Sequence, residues 1–464
     1  MVLIFAKDGG FSMNIIIAGD GRVGSTLARE LSAEGYDLTL IDSDPHILES
    51  SVSRYDVMTV SGNCASMPTL RQAGVMDADL LIAVTSADEV NLLCCTTAHA
   101  LNPKLHTIAR IRNPEYIHQI YDMQDTFGLS MGINPEKQAA REMERLLKFP
   151  GFLRREVFAK GRTEIVELKV DAESKLRDAR LMDLGSIVKC RILVCAVLRE
   201  GTSMVPSGNF VLREGDRVFV TAPTENLAIL LKNLGILTRR VRRVMFCGGD
   251  RVSYYLAELL KNSGIQVRII EADEARCREL FAMLPDAEII HADVSDPEVL
   301  EDAGLGNCDA MVTLTEMDQL NMILSLHAIA RGIPQVITKM SQVDNRTLID
   351  SLNLGSVICP KELCCNDILR YVRAMQNQTG AALSVHTIAD GQVEALEFPV
   401  EANTKFCGVP LKKLKLKPNV LIASISRGAH TEIPNGESMF AQGDTLVVVT
   451  SGRGVLKQIN DIFQ

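Results

Sequence analysis

The stretch IIIAGDGRVGSTLARE, Ile15–Glu30, decides the fold. Four small or aliphatic residues, Ile15–Ala18, read as a buried strand. Val23, Leu27 and Leu31 then recur at the spacing of a helix with one apolar face. Between them stand Gly19, Gly21 and Gly24, a G-x-G-x-x-G turn joining strand to helix. In such a turn the first glycine allows the tight bend. The second lets the main chain approach a pyrophosphate, and the third lets helix and strand pack closely. The helix start offers amide hydrogens and positive potential to an anion. Asp42 follows at the end of the next strand, Leu38–Ile41, where a carboxylate binds ribose hydroxyls. A 2′-phosphate beside Asp42 would be repelled, so NAD, NADH or an adenine nucleotide is favoured over NADP.

Strands continue at Val57–Val60, Leu80–Val84 and Thr107–Arg110, alternating with helical segments. That alternation predicts a doubly wound parallel sheet of Rossmann type. Thr85 and Ser86 stand just past the fourth strand, where ligands of such sheets bind. They also suit a helix N-cap, with Asp88 or Glu89 completing a capping box. Arg110 ends the fifth strand within reach of a phosphate or ribose. Arg22 in the glycine turn is a second phosphate candidate, with an outward-facing solvated side chain as the other reading. Asn63 reads either as facing an adenine or as a turn residue. A helix is expected from Pro135 to near Pro150-Gly151.

The whole pattern occurs twice. Gly19, Asp42 and Arg110 recur as Gly248, Glu271 and Lys339, each 229 residues on. VTSADEVNLL from Val84 recurs as LTEMDQLNMI from Leu314, and VPSGNFVLREGDRVFV from Val205 as IPNGESMFAQGDTLVV from Ile433. Ordered blocks at a near-constant offset mark a duplication. Each copy ends in a smaller α+β module. Its strands are expected at Thr163–Val170, Ile192–Leu198 and Arg217–Thr221, then at Val393–Pro399, Val420–Ser426 and Thr445–Thr450. The closing helices are expected at Leu227–Leu234 and Val455–Ile462. The reading divides the chain into a disordered extension (1–12), a first Rossmann domain (13–136), a linker helix with the first small domain (137–236), a second Rossmann domain (242–360) and a linker helix with the second small domain (361–464).

Copy two departs at the turn, where Asp250 and Ser253 replace the second and third glycines. Gly248, Glu271, Thr315 and Lys339 remain as candidate contacts. A carboxylate opposes pyrophosphate, so a ligand with less phosphate, such as a mononucleotide, is expected there if any binds.

Composition narrows the function. Of 464 residues, 47% are hydrophobic and 23% charged, and the net charge is −9 with no basic domain, which argues against nucleic acid. No apolar run approaches the ~18 residues of a membrane span, so the chain is read as soluble and cytoplasmic. Twelve cysteines without a CxxC pair read as reduced small hydrophobes, and no metal site is expected. Eight histidines form no recognisable catalytic set, which disfavours an NAD-dependent oxidoreductase. Arg239, Arg240, Arg242 and Arg243, and Lys412, Lys413, Lys415 and Lys417, read either as partner contacts or as solvated faces.

The glycine turn, Asp42, VTSADEVNLL, ARIRNPEY (Ala109–Tyr116) and the module ending in VPSGNFVLREGDRVFV together resemble the regulator-of-potassium-conductance family, RCK or KTN, whose modules are termed TrkA-N and TrkA-C. The resemblance covers nearly all of Asn14–Gln464, in the tandem order of Trk-type regulatory subunits. It implies a binding protein and not an enzyme. Such a protein forms a homo-oligomeric dimer or tetramer ring under an integral-membrane potassium-translocating subunit, peripheral to the inner face of the membrane. It also implies NAD(H), with ATP or ADP, at Gly19–Val23, Asp42, Thr85, Ser86 and Arg110. Beside the NAD-dependent oxidoreductase, the second alternative is a regulator of a different cation transporter, such as an efflux system.

Overall fold

A computed structural model describes residues 13–148, 154–158, 162–234, 241–341, 354–375, 382–389, 392–428, 430–451 and 458–464, with 349, 352 and 456 between. The expected extension 1–12, the helix stop at Pro150-Gly151, and Arg239 and Arg240 lie outside these. The chain divides into two compact units. One runs up to Gln138 and includes Pro360–Leu369; the other comprises Ala139–Cys359 and Arg370–Gln464.

The first unit holds a parallel sheet. Its elements are β1 (Asn14–Ala18), α1 (Arg22–Ala33), β2 (Asp37–Asp42), α2 (Pro45–Val52), β3 (Met58–Ser61), α3 (Met67–Gln72), β4 (Leu80–Ala83), α4 (Asp88–Leu101), β5 (His106–Arg110), α5 (Pro114–Phe127) and β6 (Met131–Ile133), followed by α6 (Pro135–Lys148). The strand order is β3-β2-β1-β4-β5-β6, all parallel. β1 pairs with β2 on one side and β4 on the other, so the order reverses there. Ligands of open parallel sheets bind at such a reversal, beyond the carboxyl ends of the strands. β1 and β4 are apolar on both faces, as strands covered by helices on both sides must be. α1 buries Val23, Gly24, Leu27, Ala28 and Leu31, the stripe its sequence predicts. α2 and α5 are capped by the side chains of Asp44 and Asn113, each followed by proline at the first helical position.

In the second unit a five-stranded sheet is built from β7 (Arg154–Phe158), β8 (Thr163–Lys169), β9 (Leu193–Arg199), β10 (Thr202–Met204) and β11 (Arg217–Pro223), with α7 (Leu184–Val188) and α8 (Thr224–Leu234). Its pairs are antiparallel, in the order β10-β9-β11-β8-β7. The second parallel sheet follows: β12 (Arg243–Cys247), α9 (Arg251–Leu260), β13 (Gln266–Glu271), α10 (Glu274–Met283), β14 (Glu288–His291), α11 (Pro297–Asp302), β15 (Ala310–Thr313), α12 (Asp318–Ala330), β16 (Gln335–Lys339) and β17 (Ser356–Ile358). Its order, β14-β13-β12-β15-β16-β17, repeats the first. Beyond α13 (Pro360–Met375), a last sheet runs β18-β19-β22-β20-β21, from β18 (Ser384–Ile388), β19 (Val393–Pro399), β20 (Val420–Arg427), β21 (His430–Glu432) and β22 (Thr445–Thr450).

The two antiparallel sheets share one core, in which Phe158, Ile165, Cys195 and Phe219 meet Ile388, Val393, Ala423 and Val447. Glu156 pairs with His386 at 2.7 Å, residues 230 apart and so counterparts in the repeat. All twelve cysteines are free and nine are buried. Burial pushes the Cys95 and Cys195 thiols up to about 12, so both remain uncharged packing groups. The closing segment of copy two differs from expectation. In its described part, Ile459–Ile462 forms one 3-10 turn and not an α-helix, with Gln458 and Asp461 capping each other; Val455 and Lys457 of the expected helix lie outside the described residues. Short Asn- and Asp-rich ends favour such side-chain-capped turns over α-helix.

Candidate functional site

The site grows from the turn between β1 and α1. Gly19 has φ +97°, a left-handed conformation natural to glycine, and an added Cβ there would lie 2.9 Å from the Thr85 backbone. Its amide donates to the Ile41 carbonyl at 2.8 Å, locking the turn to β2. A Cβ on Gly24 would lie 1.9 Å from the Gly19 carbonyl oxygen, so the third glycine is needed for packing. Gly21 differs from both. Its φ is −71°, open to any residue, and an added Cβ would meet nothing within 4 Å. The protein's own packing therefore does not require glycine at position 21. Gly21 is the N-cap of α1, and no side chain caps that helix. The first-turn amides of a helix have no intrahelical acceptor, so an anion beside this start would find donors.

Asp42 holds the turn from below. One carboxylate oxygen accepts the Asp20 amide at 2.8 Å and the other the Asp44 amide at 3.0 Å. Asp20 turns its side chain away from the helix start: it is buried, and the Ser51 hydroxyl donates to it at 2.6 Å. Its second oxygen, Oδ1, is buried without a partner. Burial raises the pKa of this carboxyl above the ordinary aspartate range. The Ser51 hydrogen bond opposes the shift and the nearby charge of Asp42 adds to it. Val23 is buried, so its side chain belongs to the core and its backbone to the site; Arg22 is exposed at the first position of α1.

Thr85 and Ser86 do not cap α4, which corrects that reading. The N-cap is Ala87, with no side-chain hydrogen bond. Thr85 is instead bound to Asn91, a fully buried residue on α4. The Asn91 carbonyl oxygen accepts the Thr85 amide (2.8 Å) and hydroxyl (2.7 Å). Its amide nitrogen donates to the Thr85 carbonyl (3.3 Å) and to the Arg110 carbonyl (2.9 Å). Four bonds from one side chain satisfy buried groups at the ends of β4 and β5, and no cap could reach both strands. Asp88 likewise serves the β5 end, accepting the Arg112 and Asn113 amides at 2.8 and 2.7 Å.

Arg110 points back over β4 and donates to the Thr85 carbonyl at 2.5 Å, while its Nε is buried without a partner. Burial lowers its pKa and the Arg112 charge adds to this, with Glu136 pulling it back. Arg112 donates to the Ser86 carbonyl. Asn63 forms a turn, accepting the Ala65 amide at 3.0 Å. The first unit thus gathers Gly19–Gly24, Asp42, Thr85, Ser86 and Arg110 at one sheet reversal.

Sequence reasoning missed Asn91, although it stands at the same place in both repeated blocks; in copy two Asn321 makes the same four bonds, to Thr315 and to the Lys339 carbonyl. It also missed that α13, which starts at Pro360 as the sequence predicts, comes beside the first turn. Cys365 lies 3.9 Å from the Val23 carbonyl, and Asp367 accepts a hydrogen bond from Gln138, its counterpart 229 residues earlier. In the second cleft Glu271 repeats Asp42, accepting the Gly249 and Asp273 amides at 2.6 and 2.8 Å. Gly248 has φ +111°, and Lys339 lies buried against Asp250.

Models of the TrkA-N domain match residues 15–130 and 244–360, and models of the TrkA-C domain match 165–235 and 395–463. The chain belongs to the TrkA family. It is 32% identical to the Trk system potassium uptake protein TrkA homolog of Archaeoglobus fulgidus, over 97% of this chain and 100% of that one. It is 29% identical to the Trk system potassium uptake protein TrkA of Haemophilus influenzae, over 97% and 99%. In fold it is similar to the GsuK RCK domain (TM-score 0.62, 16% identity, 96% of this chain and 93% of that chain). It is also similar to the GsuK channel bound to NAD (TM-score 0.61, 16% identity, 96% and 78%). The doubly wound sheets and antiparallel modules of this TrkA-family chain are therefore the RCK architecture, carried twice.

Proposed function

We propose that this chain is the regulatory subunit of a potassium-uptake system, and that it senses NAD or NADH, with ADP or ATP as competitors, at the first glycine turn. The observation that carries the reading is Gly21. A glycine that the protein's own backbone and packing do not need, at the uncapped start of a helix, is explained by a ligand whose phosphates come too close for any side chain. The helix-start amides and the Arg110 guanidinium supply positive potential for that pyrophosphate. Asp42, on the far side of the turn, offers carboxylate oxygens to the ribose and disfavours a 2′-phosphate. Thr85 and Ser86 stand at the mouth between them. A curated TrkA protein with near-complete coverage supports the potassium-uptake role, and the NAD and ADP named for GsuK structures support the ligand class.

Ligand binding regulates only if it favours one arrangement of the subunit over another. A coupling of ~1–3 kcal/mol per site shifts a transporter's affinity or opening by roughly 5–150-fold. The Rossmann and small domains, divided as in the sequence reading, are the bodies such a change would move. The chain would act from the cytoplasmic side as a homo-oligomer on a membrane-embedded potassium-translocating subunit. Among the described residues no helix is long and apolar enough to cross a membrane. We assign it no catalytic residue. The reading is tested by titrating the purified chain with NADH, NAD, ADP, ATP and NADPH. Binding of NADH with discrimination against NADPH, abolished in Gly21→Asp, is the expected result; no affinity for any of the five refutes it.

A further inference from the structure

The two halves end their first strand in matching turns, yet a different group stands on each helix start. Gly21 at α1 has φ −71° and ψ −167°; Asp250 at α9 has φ −70° and ψ −174°. The backbone angles at this position agree, so what differs there is the side chain. One oxygen of Asp250 accepts the Ser253 amide at 2.9 Å and the Ser253 hydroxyl at 3.3 Å. The other oxygen meets the Lys339 ammonium at 2.5 Å. Lys339 is only 7% exposed and also donates to the Leu314 carbonyl at 3.2 Å. Arg276 braces the turn, donating to the Gly249 carbonyl at 2.7 Å and the Asp250 carbonyl at 3.3 Å.

A carboxylate on the amides of a helix start, with a buried cation against it, is the arrangement a bound phosphate would make. We infer that Asp250 is a built-in substitute for the ligand's phosphate. It occupies the anion seat of the second cleft, so that each chain binds one dinucleotide, in its first half. This rests on the reading of the first cleft given above. Lys339 is the counterpart of Arg110, so the cation that would serve the ligand in one half serves the protein's own carboxylate in the other. A pyrophosphate entering the second cleft would have to expel a capped and paired carboxylate or sit against its charge. Unit charges about 4 Å apart near a protein surface repel enough to weaken binding by roughly a hundredfold or more. Asp250 is then the residue that sets specificity: ligands without phosphate on the helix start are admitted, and pyrophosphates are refused. The rest of a seat is in place, with Gly248 at positive φ, Glu271 tied to the turn as Asp42 is, and Thr315 held by Asn321.

The test is the number of NADH molecules bound per full-length chain, by isothermal titration calorimetry, in the wild type, Gly21→Asp and Gly21→Asp/Asp250→Gly. The expected counts are one, none and one. No binding in the wild type refutes the reading of the first cleft itself. Two sites in the wild type, or one retained in Gly21→Asp, leaves that cleft's ligand class standing and overturns the inference about Asp250. A double variant that melts normally and regains no NADH also overturns it. Should Asp250→Gly compromise folding, Asp250→Ala removes the same carboxylate at a φ alanine adopts freely, and the same counts apply.

Discussion

Replacing Gly21 and Gly24 in turn by alanine separates what the ligand needs from what the fold needs. At Gly24 the added methyl carbon would lie 1.9 Å from the Gly19 carbonyl oxygen and 3.5 Å from an Ile17 methyl, so turn and helix must part. Overpacking of this kind costs about 1–3 kcal/mol. At roughly 2–4 °C per kcal/mol for domains of this size, the melting temperature should fall by about 2–12 °C. At Gly21 two small effects offset. Alanine is a poorer N-cap than glycine, by roughly 0.5–1 kcal/mol. It also removes about 0.4–1 kcal/mol of unfolded-chain entropy, at a φ it accepts without strain. Net stability should therefore stay within about 0.5 kcal/mol. The methyl enters the space reserved for phosphate, so NADH affinity should drop at least about tenfold, equivalent to ~1.4 kcal/mol. Thermal melting followed by circular dichroism and titration by NADH fluorescence read the two quantities on the same samples. Gly21→Ala with wild-type affinity would place the phosphates elsewhere. Gly21→Ala melting as low as Gly24→Ala would mean the space beside Gly21 is not open.

Asn91→Ala should cost about 2–4 kcal/mol in urea unfolding, because it strands buried donors and acceptors at the ends of two strands. The same change at Asn321 should cost a similar amount but leave NADH affinity intact, whereas Asn91→Ala should weaken it; equal effects on binding would contradict a single ligand seat. Asp20→Asn should raise the melting temperature at pH 7. The Asp20 pKa is raised in the fold, chiefly by burial, so its favourable contribution is complete below the unfolded value of about 3.9 and is lost as pH rises through the folded value. At neutral pH the charged form is a liability that asparagine removes, and the advantage should shrink toward pH 4. A gain independent of pH would show that charge burial is not its cause.

The turn Ile15–Glu30 was legible because its evidence is local: glycine spacing, an aliphatic strand and a helical stripe within sixteen residues. The repeat was legible because residue numbers alone expose a constant offset. Six strands were not foreseen, β6, β7, β10, β17, β18 and β21. They are three to five residues long, too short to show alternation, and they exist by pairing with longer strands already in place. Thr85 was misjudged for a related reason. Ser, Thr and Asp before an apolar run do signal a cap, but Asn91, six residues on and buried, competes for the same hydroxyl and wins because it also satisfies Arg110 on the next strand.

Sequence alone determined that two Rossmann sheets and two small modules alternate, that the first carries an intact glycine turn, and that the second has a carboxylate in it. Those are properties of neighbouring residues and of their order. Tertiary structure decided which glycine is free of duty to the fold, where the start of α13 lies beside the first turn, and that Lys339 neutralises Asp250 from 89 residues away. Such facts depend on distances between strands that only folding brings together. A glycine's need for empty space, or a carboxylate's partner, is set by what the rest of the chain puts there.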